Sequence, residues 1–175
     1  GIEIDDPNHA AIALLLKLGD RQILLGADLE ESRSKGWSTI MARSTVPRAN
    51  IELFKIPHHG SSNADHPPLW QTDIPKDCLA VLTPFSSGKN PPPTRSDVSR
   101  ILSRTSRGHS TARVARSAMK LATATQKLMA GAGIKNRTRK DPKMGHVRFR
   151  TSFAASTSWT VEHFGNSVPL ADIFA

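Results

Sequence analysis

Two short stretches of the sequence contain side chains that could bind a metal ion. Asp28 stands in "LLGADLEES", directly after an apolar run, and His58 and His59 are adjacent in "KIPHHGSSN". Carboxylate oxygens and imidazole nitrogens are both good zinc ligands, and loops at strand ends can hold such side chains in fixed positions. The residue types alone leave a second interpretation open, because an aspartate at a strand end is often a turn or capping residue and histidines in a polar loop are often merely exposed.

Three apolar runs predict the strands that would position these side chains. "AAIALLLKLG" and "RQILLGADL" predict two buried strands joined by a tight turn at Gly19 and Asp20. "IELFKIP" predicts a third strand with Ile51, Leu53 and Ile56 packed inward. The proline at its end stops the strand, so the histidine pair is expected in a loop at the strand's end.

The remaining patterns alternate helices with strands. "EESRSKGWSTIMAR" predicts a short amphipathic helix with acids at its start, and "HPPLWQTDI" a loop or single helical turn. "CLAVLTPF" predicts a strand covered on both faces, and "TRSDVSRILSRTS" a helix capped by Thr94 or Ser96. "ARSAMKLATATQKLMAGAG" favours a further helix, and "GHVRFRTSF" and "SWTVEHFG" predict two closing strands. This order indicates a layered α/β sandwich.

Length and composition exclude several classes of protein. A chain of 175 residues is the size of one domain, and its longest apolar run, "AAIALLL", is far shorter than the roughly 20 residues of a membrane span. The acidic "GIEIDD" does not resemble a secretory signal. The single cysteine, Cys78, excludes an internal disulfide and a cysteine-rich zinc site, so we expect a cytoplasmic protein without a membrane segment.

The charge of the chain is concentrated in one segment. From Arg95 to Arg150 there are 15 Lys or Arg residues and two acids, Asp97 and Asp141, whereas the remainder contains nine basic and 13 acidic residues. This asymmetry favours a phosphate-rich partner such as DNA or RNA. A solvated basic surface with no ligand is the alternative, because charge alone carries no sequence information.

Taken together, these motifs resemble a known enzyme fold. The run "NHAAIALLLKLGDRQILLGADLEES", then "LFKIPHHGSSN", then "AVLTPFSSG" followed by "DVSRIL" resembles the second half of metallo-β-lactamase-fold hydrolases. It is most similar to the branch found in bacterial competence DNA-uptake proteins, in which a "GD" strand end and a "PHHGS" loop recur in this order. The similarity covers residues 1–114 and resumes at 145–165. The resemblance implies an αβ/βα sandwich with two zinc ions between the sheets.

The resemblance also implies roles for individual residues. Asp28 would be the carboxylate that bridges both metals and His58 a ligand of the second metal, while His59 would be a neighbouring or substrate-facing group. These three are the predicted catalytic residues, and Asp28 and His58 the predicted metal ligands. Gly60 would allow a tight loop near the metals, and Ser61 could cap the loop or touch a phosphate. The motif here is "GAD", with alanine in the place of the usual glycine.

One part of the family pattern is missing. No HxHxDH motif occurs in the 175 residues, and only 27 residues precede Asp28. His9 is not spaced to replace that motif, and Asp5 or Asp6 could at best add a third ligand. Since a zinc site needs three or four protein ligands, we expect this chain alone to hold zinc poorly. Half of a sandwich would also expose an apolar sheet face unless another polypeptide covers it.

Three explanations fit this departure. The chain is the C-terminal part of a longer protein, or a partner chain supplies HxHxDH, or the fold is a relic without metal. The predicted organisation is residues 1–114 as the C-terminal part of the hydrolase domain, 115–144 as a basic helix and loop insertion, and 145–175 as its closing strands.

The predicted function is metal-dependent hydrolysis of an ester or phosphodiester, with the first metal-binding half missing from this chain. The alternatives are a non-catalytic basic nucleic-acid-binding module and an interaction subunit of a split enzyme. The spacing of four further histidines suggests no second metal site, and we expect each of them on the surface or in the core: His66, His109, His146 and His163.

Overall fold

The described part of the chain forms a mixed α/β fold. It was obtained as a computed structural model, which describes residue 8 and residues 11–32, 35–46, 48–87, 89–114, 123–133, 145–152 and 158–175. The strands are β1 (Leu14–Leu18), β2 (Arg21–Leu25), β3 (Ile51–Lys55), β4 (Leu79–Leu82), β5 (Gly108–Ser110), β6 (Gly145–Arg150), β7 (Thr160–Gly165) and β8 (Val168–Pro169). The helices are α1 (Trp37–Arg43), α2 (Pro67–Thr72), α3 (Arg95–Leu102) and α4 (Thr123–Gly131), with short 3-10 turns at His58–Gly60, Ser62–Ala64 and Leu170–Asp172.

Six of the strands form one sheet in the order β1-β2-β3-β4-β5-β8. Strands β2 to β5 are parallel, while β1 and β8 pair antiparallel at the two edges. The predicted pairing is confirmed: β1 and β2 pair from Leu14 with Leu25 to Leu18 with Arg21, around the turn at Gly19 and Asp20. The prediction that both strands are buried is wrong for β1, an edge strand that is mostly exposed. Because β2, β3 and β4 are parallel, their carboxyl ends lie at the same edge of the sheet.

One face of the sheet packs against helices. Leu24, Phe54 and Ala80 lie side by side on this face and belong to the buried core. The ring of Phe54 meets Trp37 of α1 and Trp70 of α2 edge to face, with centroids 6.3 and 5.2 Å apart. The core therefore lies between the parallel strands and the short helices that connect them.

The prediction for the inward residues of β3 is partly wrong. Ile51 and Ile56 are buried as expected, but Leu53 is only half-buried and Phe54 is the side chain that faces the helices. The pairing of β2 with β3 shifts between Gln22 and Ile23, so that β3 has one extra residue at this point. Such a bulge changes the alternation of faces along a strand, which a strict period of two cannot anticipate.

Each predicted helix contains a described helix, although the bounds differ. The helix α3 has the predicted cap at Thr94, whose hydroxyl accepts from the Asp97 main-chain nitrogen at 3.2 Å while the Thr94 nitrogen donates to the Asp97 carboxylate at 2.9 Å. Helix α1 begins at Trp37, later than predicted, so no acid lies in its first turn. Glu31 nevertheless accepts from the Ser38 nitrogen at 2.9 Å and so caps that helix from the preceding loop.

Strands β5 and β8 were not predicted. They contain only three and two residues, too few to show a period of two, and β5 begins with glycine. Glycine allows a close approach there, because a β-carbon at Gly108 would lie 3.0 Å from the Leu170 side chain. Tertiary packing against β4 and Leu170, rather than local propensity, forms this edge of the sheet.

The two predicted closing strands form a separate hairpin. Strands β6 and β7 pair antiparallel from Gly145 with Gly165 to Arg150 with Thr160. Residues 115–122 of the predicted insertion helix and the whole of the basic loop at 134–143 lie outside the described residues. None of the described helices has the length and apolarity that a membrane crossing requires.

The sheet face opposite the helices is incompletely covered. Pairing places Lys55, Val81 and His109 side by side on this face, and the hairpin contacts it at His109. Towards β1 the face is exposed: Leu14, Leu16 and Leu18, at alternate positions of this edge strand, are 49%, 41% and 45% exposed. We call this surface, together with Ile23, Leu25 and Leu53 beside it, the open face.

Candidate metal centre

The loops that follow β2 and β3 lie side by side at the carboxyl edge of the sheet. The Gly26 nitrogen donates to the Lys55 carbonyl at 3.0 Å, and the His58 nitrogen donates to the Ala27 carbonyl at 3.1 Å. A β-carbon at Gly26 would lie 2.9 Å from the Lys55 carbonyl and from the Pro57 ring, so glycine permits this close approach. The main chain thus brings the Asp28 loop against the histidine loop.

The backbone of both loops is strained. Four described residues other than glycine have positive φ, and three of them are here: Ala27 at 47°, His58 at 42° and His59 at 57°. A left-handed conformation costs an ordinary residue about 1–2 kcal/mol. Strain of this kind persists only where the surrounding structure imposes it, and it is concentrated at functional sites.

Asp28 and His59 face each other across the gap between the loops. Asp28 Oδ1 lies 4.0 Å from His59 Nε2. His59 Nδ1 lies 2.8 Å from the Thr83 carbonyl, to which it can only donate. In the uncharged ring, this hydrogen bond leaves the lone pair on Nε2, the nitrogen that lies 4.0 Å from Asp28 Oδ1. A carbonyl bond at one ring nitrogen is the usual support for an imidazole that ligates a metal through the other.

The gap between these two atoms is too long for a hydrogen bond and close to the width of a metal site. Two zinc ligands at about 2 Å from a tetrahedral ion are about 3.3 Å apart. The Asp28 side chain is 50% exposed, whereas that of His59 is 21% exposed. The observed separation of 4.0 Å is longer than that of two ligands on one ion, and the more exposed Asp28 side chain is the less restricted of the two.

His58 lies against the carboxylate of Glu30, and its predicted role as a metal ligand stays a prediction. Its Nδ1 is buried and lies 2.8 Å from Glu30 Oε1, in a direction that does not give a hydrogen bond. Glu30 also accepts from the side chains of Asn63 at 2.9 Å and Asn8 at 3.0 Å. The structure thus brings Asp28 together with His59, the predicted neighbour, and places His58 against Glu30.

Two further groups at this edge had no role in the sequence analysis. Lys55 ends β3, and its Nζ donates to the Ile56 carbonyl at 2.9 Å. Burial lowers the pKa of Lys55, while the nearby Asp28 charge opposes that shift. Thr83, which follows β4, supplies the carbonyl that orients His59. Only a strand order placing β4 next to β3 could have indicated Thr83, since 24 positions separate it from His59.

The ring of Phe85 forms an apolar wall beside His59. The two ring centroids are 5.0 Å apart with planes inclined at 32°, and Phe85 is 44% exposed. Phe85 therefore shields one side of the His59 ring from water.

The turn of the histidine loop is fixed from behind by helix α3. Gly60 has φ of 84°, and a β-carbon there would lie 2.9 Å from Leu82 and 3.1 Å from Ile101. Its carbonyl accepts from Arg100 Nη2 at 2.7 Å. Ser61, which follows, lines an open polar cleft of about 420 Å³ together with Ser62, Asn90, Thr94 and Ser96. A contact of Ser61 with phosphate stays a prediction.

The ligand types fit zinc, but the described residues do not complete a site. Within the ranges that the structure describes, no group of three or more His, Cys, Asp or Glu side chains is arranged to hold a metal ion. His9, Asp5 and Asp6, the upstream residues that the sequence analysis considered as further ligands, lie outside those ranges. Asp28 and His59 thus provide two side chains of zinc-ligand type at this edge, and the described part of the chain adds no third that is arranged with them.

Much of the described basic segment is occupied by contacts within the protein. Arg104 makes a bidentate pair with Asp65, with both distances 2.7 Å, and Arg148 a bidentate pair with Glu162, with both 2.8 Å. Six arginines of the segment contact an aromatic ring, a carboxylate or a main-chain carbonyl: Arg95, Arg100, Arg104, Arg107, Arg113 and Arg148. The basic cluster at 134–143 lies outside the described residues.

Comparison of the chain with protein-family models, curated proteins and solved structures gives no significant match.

Proposed function

We propose that this chain forms one wall of a metal-dependent hydrolase centre of the metallo-β-lactamase type, which cleaves an ester or phosphodiester. The observation that carries the proposal is the approach of Asp28 Oδ1 to His59 Nε2 at 4.0 Å, at the carboxyl ends of adjacent parallel strands. Open α/β sheets bind ligands outside the carboxyl ends of their strands. The strained backbone of both loops and the anchored ring of His59 support a role beyond that of a turn.

Asp28 and His59 would hold zinc as a carboxylate and an imidazole ligand. A zinc ion bound there would act as a Lewis acid on the scissile group. His59 keeps its orientation through the Thr83 carbonyl, and Lys55 places a positive charge near the same carboxylate. His58 takes the supporting role in this proposal, because its Nδ1 is directed to Glu30.

The remaining metal ligands would come from an HxHxDH-bearing segment, either in the same polypeptide or in a partner chain. The open face supports this part of the proposal. Leu14, Leu16 and Leu18 are over two-fifths exposed, although the alternate side of their strand packs into the core at Leu15. A strand that is apolar on both faces is typical of a sheet covered from both sides. The protein would then be the C-terminal half of a sandwich or a subunit of a split enzyme.

A phosphate-rich substrate such as DNA or RNA is the substrate class that we propose. The excess of basic residues after Arg95 supports a polyanion over a neutral substrate. The non-catalytic nucleic-acid-binding alternative rests on the same charge. It gains less support from the described arginines, because those residues are engaged with partners inside the protein.

Titration of the chain with Zn²⁺, monitored by isothermal titration calorimetry, tests the proposal. We expect weak, saturable binding to the chain alone, and the loss of one equivalent in Asp28→Ala and in His59→Ala. His58→Ala serves as the matched control, since it changes the adjacent histidine that faces Glu30, and should retain that equivalent. Hydrolysis of a generic phosphodiester should appear when an HxHxDH-bearing polypeptide completes the site and should disappear in the same two variants.

Unchanged zinc stoichiometry in both Asp28→Ala and His59→Ala would refute the metal assignment. Salt and chelator separate the enzyme from the alternative, because binding through Lys and Arg weakens steeply as salt rises and does not respond to a chelator. A salt-sensitive, chelator-insensitive complex with nucleic acid and no turnover would favour the binding module.

A further inference from the structure

Residues of helices α1, α2 and α3 line a small cavity next to the histidine loop. Trp37 of α1, Trp70 of α2 and Arg100 of α3 contribute to its wall, together with Pro57 and Ser61 on the two sides of the histidine turn. The space inside it is about 10 Å³. A cavity of about 10–15 Å³ is large enough for one water molecule. A ligand of this cavity would therefore be no larger than water.

The indole N–H of Trp37, which lines the cavity, has no acceptor. Trp37 is 2% exposed, and its Nε1 is buried without a hydrogen-bond partner within the described part of the chain. Buried tryptophans usually donate this N–H, as Trp159 does to Glu52 at 2.6 Å. A buried donor left without an acceptor costs about 1–3 kcal/mol. Because such donors are rare in native proteins, the Trp37 N–H calls for an acceptor that the described side chains and main chain do not supply.

Other polar side chains of the cavity wall can bind the same ligand. The Asp65 carboxylate makes three contacts with the guanidinium groups of Arg100 and Arg104, whereas a carboxylate offers about four acceptor positions. The hydroxyl of Ser61 can both donate and accept, and the ring of His66 has a nitrogen of each kind when it is uncharged. Donors and acceptors are thus both present around this space.

The charges around the cavity favour a neutral ligand. A cation would lie beside the Arg100 guanidinium and would meet the donor N–H of Trp37, and an anion would lie against the Asp65 carboxylate. A neutral molecule that accepts one hydrogen bond and donates others suits both groups. Water has this chemistry and this size.

We propose that the cavity binds one structural water molecule, which accepts the hydrogen bond of Trp37 Nε1 and donates to Asp65 and Ser61. The water links helix α1 to the part of the chain that follows the histidine turn. Internal waters of this kind make about three hydrogen bonds and are costly to remove. The inference does not depend on the proposed metal centre, because neither Asp28 nor His59 lines the cavity.

High-resolution crystallography and NMR of the full chain test the inference. An ordered water oxygen should lie about 2.7–3.2 Å from Trp37 Nε1. In solution, the indole N–H of Trp37 should show cross-relaxation with a long-lived water, and that of Trp159, which donates to Glu52, should not. Trp37→Phe removes the donor, so the ordered water should be lost from this position. The matched control, Trp159→Phe, should retain it.

An empty cavity in the parent structure would overturn the proposal. So would a water that persists in the same place in Trp37→Phe, or one that is lost equally from Trp159→Phe, because Trp37 would then not be the group that holds it. If Trp37→Phe fails to fold, the parent decides: a Trp37 N–H without a water cross-peak, and no density beside Nε1, show a dry cavity.

Discussion

At the scale of single residues, backbone conformation distinguishes two adjacent histidines. The sequence indicated that Asp28 and the histidine pair would lie at neighbouring strand ends, because each follows an apolar run of strand length. It could not indicate which imidazole faces Asp28. That outcome depends on three consecutive residues with positive φ, from His58 to Gly60, and on the carbonyl of Thr83 from another strand.

The pH dependence of stability is a second property set by one residue. Burial, the neighbouring His163 and the charge of Arg107 lower the pKa of His109 to about 4, from an ordinary value of 6.5. The unfolded chain therefore takes up a proton that the folded chain resists. His109 contributes stability that is fully present above about pH 6.5 and is lost as the pH falls towards 4.

We therefore expect the free energy of unfolding in urea to fall more steeply on acidification in the parent than in His109→Gln, in buffer that contains a chelator. His146→Gln, on the outer side of the hairpin, should follow the parent. Parallel pH profiles of the parent and His109→Gln between neutral pH and pH 4 would contradict the stated cause.

At the scale of elements, helix α3 holds the histidine loop in its strained conformation. Arg100 donates to the Gly60 carbonyl at 2.7 Å and pairs with Asp65 at 2.9 Å and Asp97 at 3.0 Å. Although burial opposes the shift, hydrogen bonds from Thr94 and Arg100 lower the pKa of Asp97 below its ordinary value. The cap of α3 was predictable from local sequence. The contacts of Arg100 with Gly60 and Asp65 were not, because those residues are distant from it in the sequence.

Replacement of Arg100 by methionine should destabilise the protein by about 1–3 kcal/mol, because the Gly60 carbonyl and the Asp97 carboxylate each lose a charged donor. Asp65 would keep its bidentate pair with Arg104. The control is Arg148→Met, which breaks a bidentate pair of similar length on the exposed hairpin and should change stability little. Equal effects in the two variants, measured by urea unfolding, would show that α3 does not fix the loop.

At the scale of the whole molecule, the uneven cover of the sheet is the main feature. The order of the longer elements was predictable from the hydrophobic periodicity and from the turn residues between the elements, and the mixed α/β class followed from that order. The short strands β5 and β8, the register shift in β3 and the contact of the hairpin at His109 depend on tertiary packing, which leaves no local pattern. In the open face, the apolar run of β1 was predictable from the sequence, whereas the exposure of one of its two sides was not.

Lysine substitutions on opposite faces of β1 test the open face. Leu16→Lys should leave the free energy of unfolding within about 0.5 kcal/mol and reduce concentration-dependent self-association in size-exclusion chromatography, because its site is exposed. Leu15→Lys, one position away, should cost about 1–3 kcal/mol because Leu15 packs against the core. A chain that is monomeric at all concentrations before substitution would argue against a docking role for this face.

The most direct test of the metal-centre proposal is anomalous diffraction at the zinc edge from crystals soaked in Zn²⁺. We predict a peak about 2.0–2.2 Å from both Asp28 Oδ1 and His59 Nε2, with His59 Nδ1 still bonded to the Thr83 carbonyl. The peak should persist in His58→Ala and be absent in His59→Ala. A peak between His58 and Glu30, or none beside Asp28 in crystals that bind zinc elsewhere, would contradict the proposed centre.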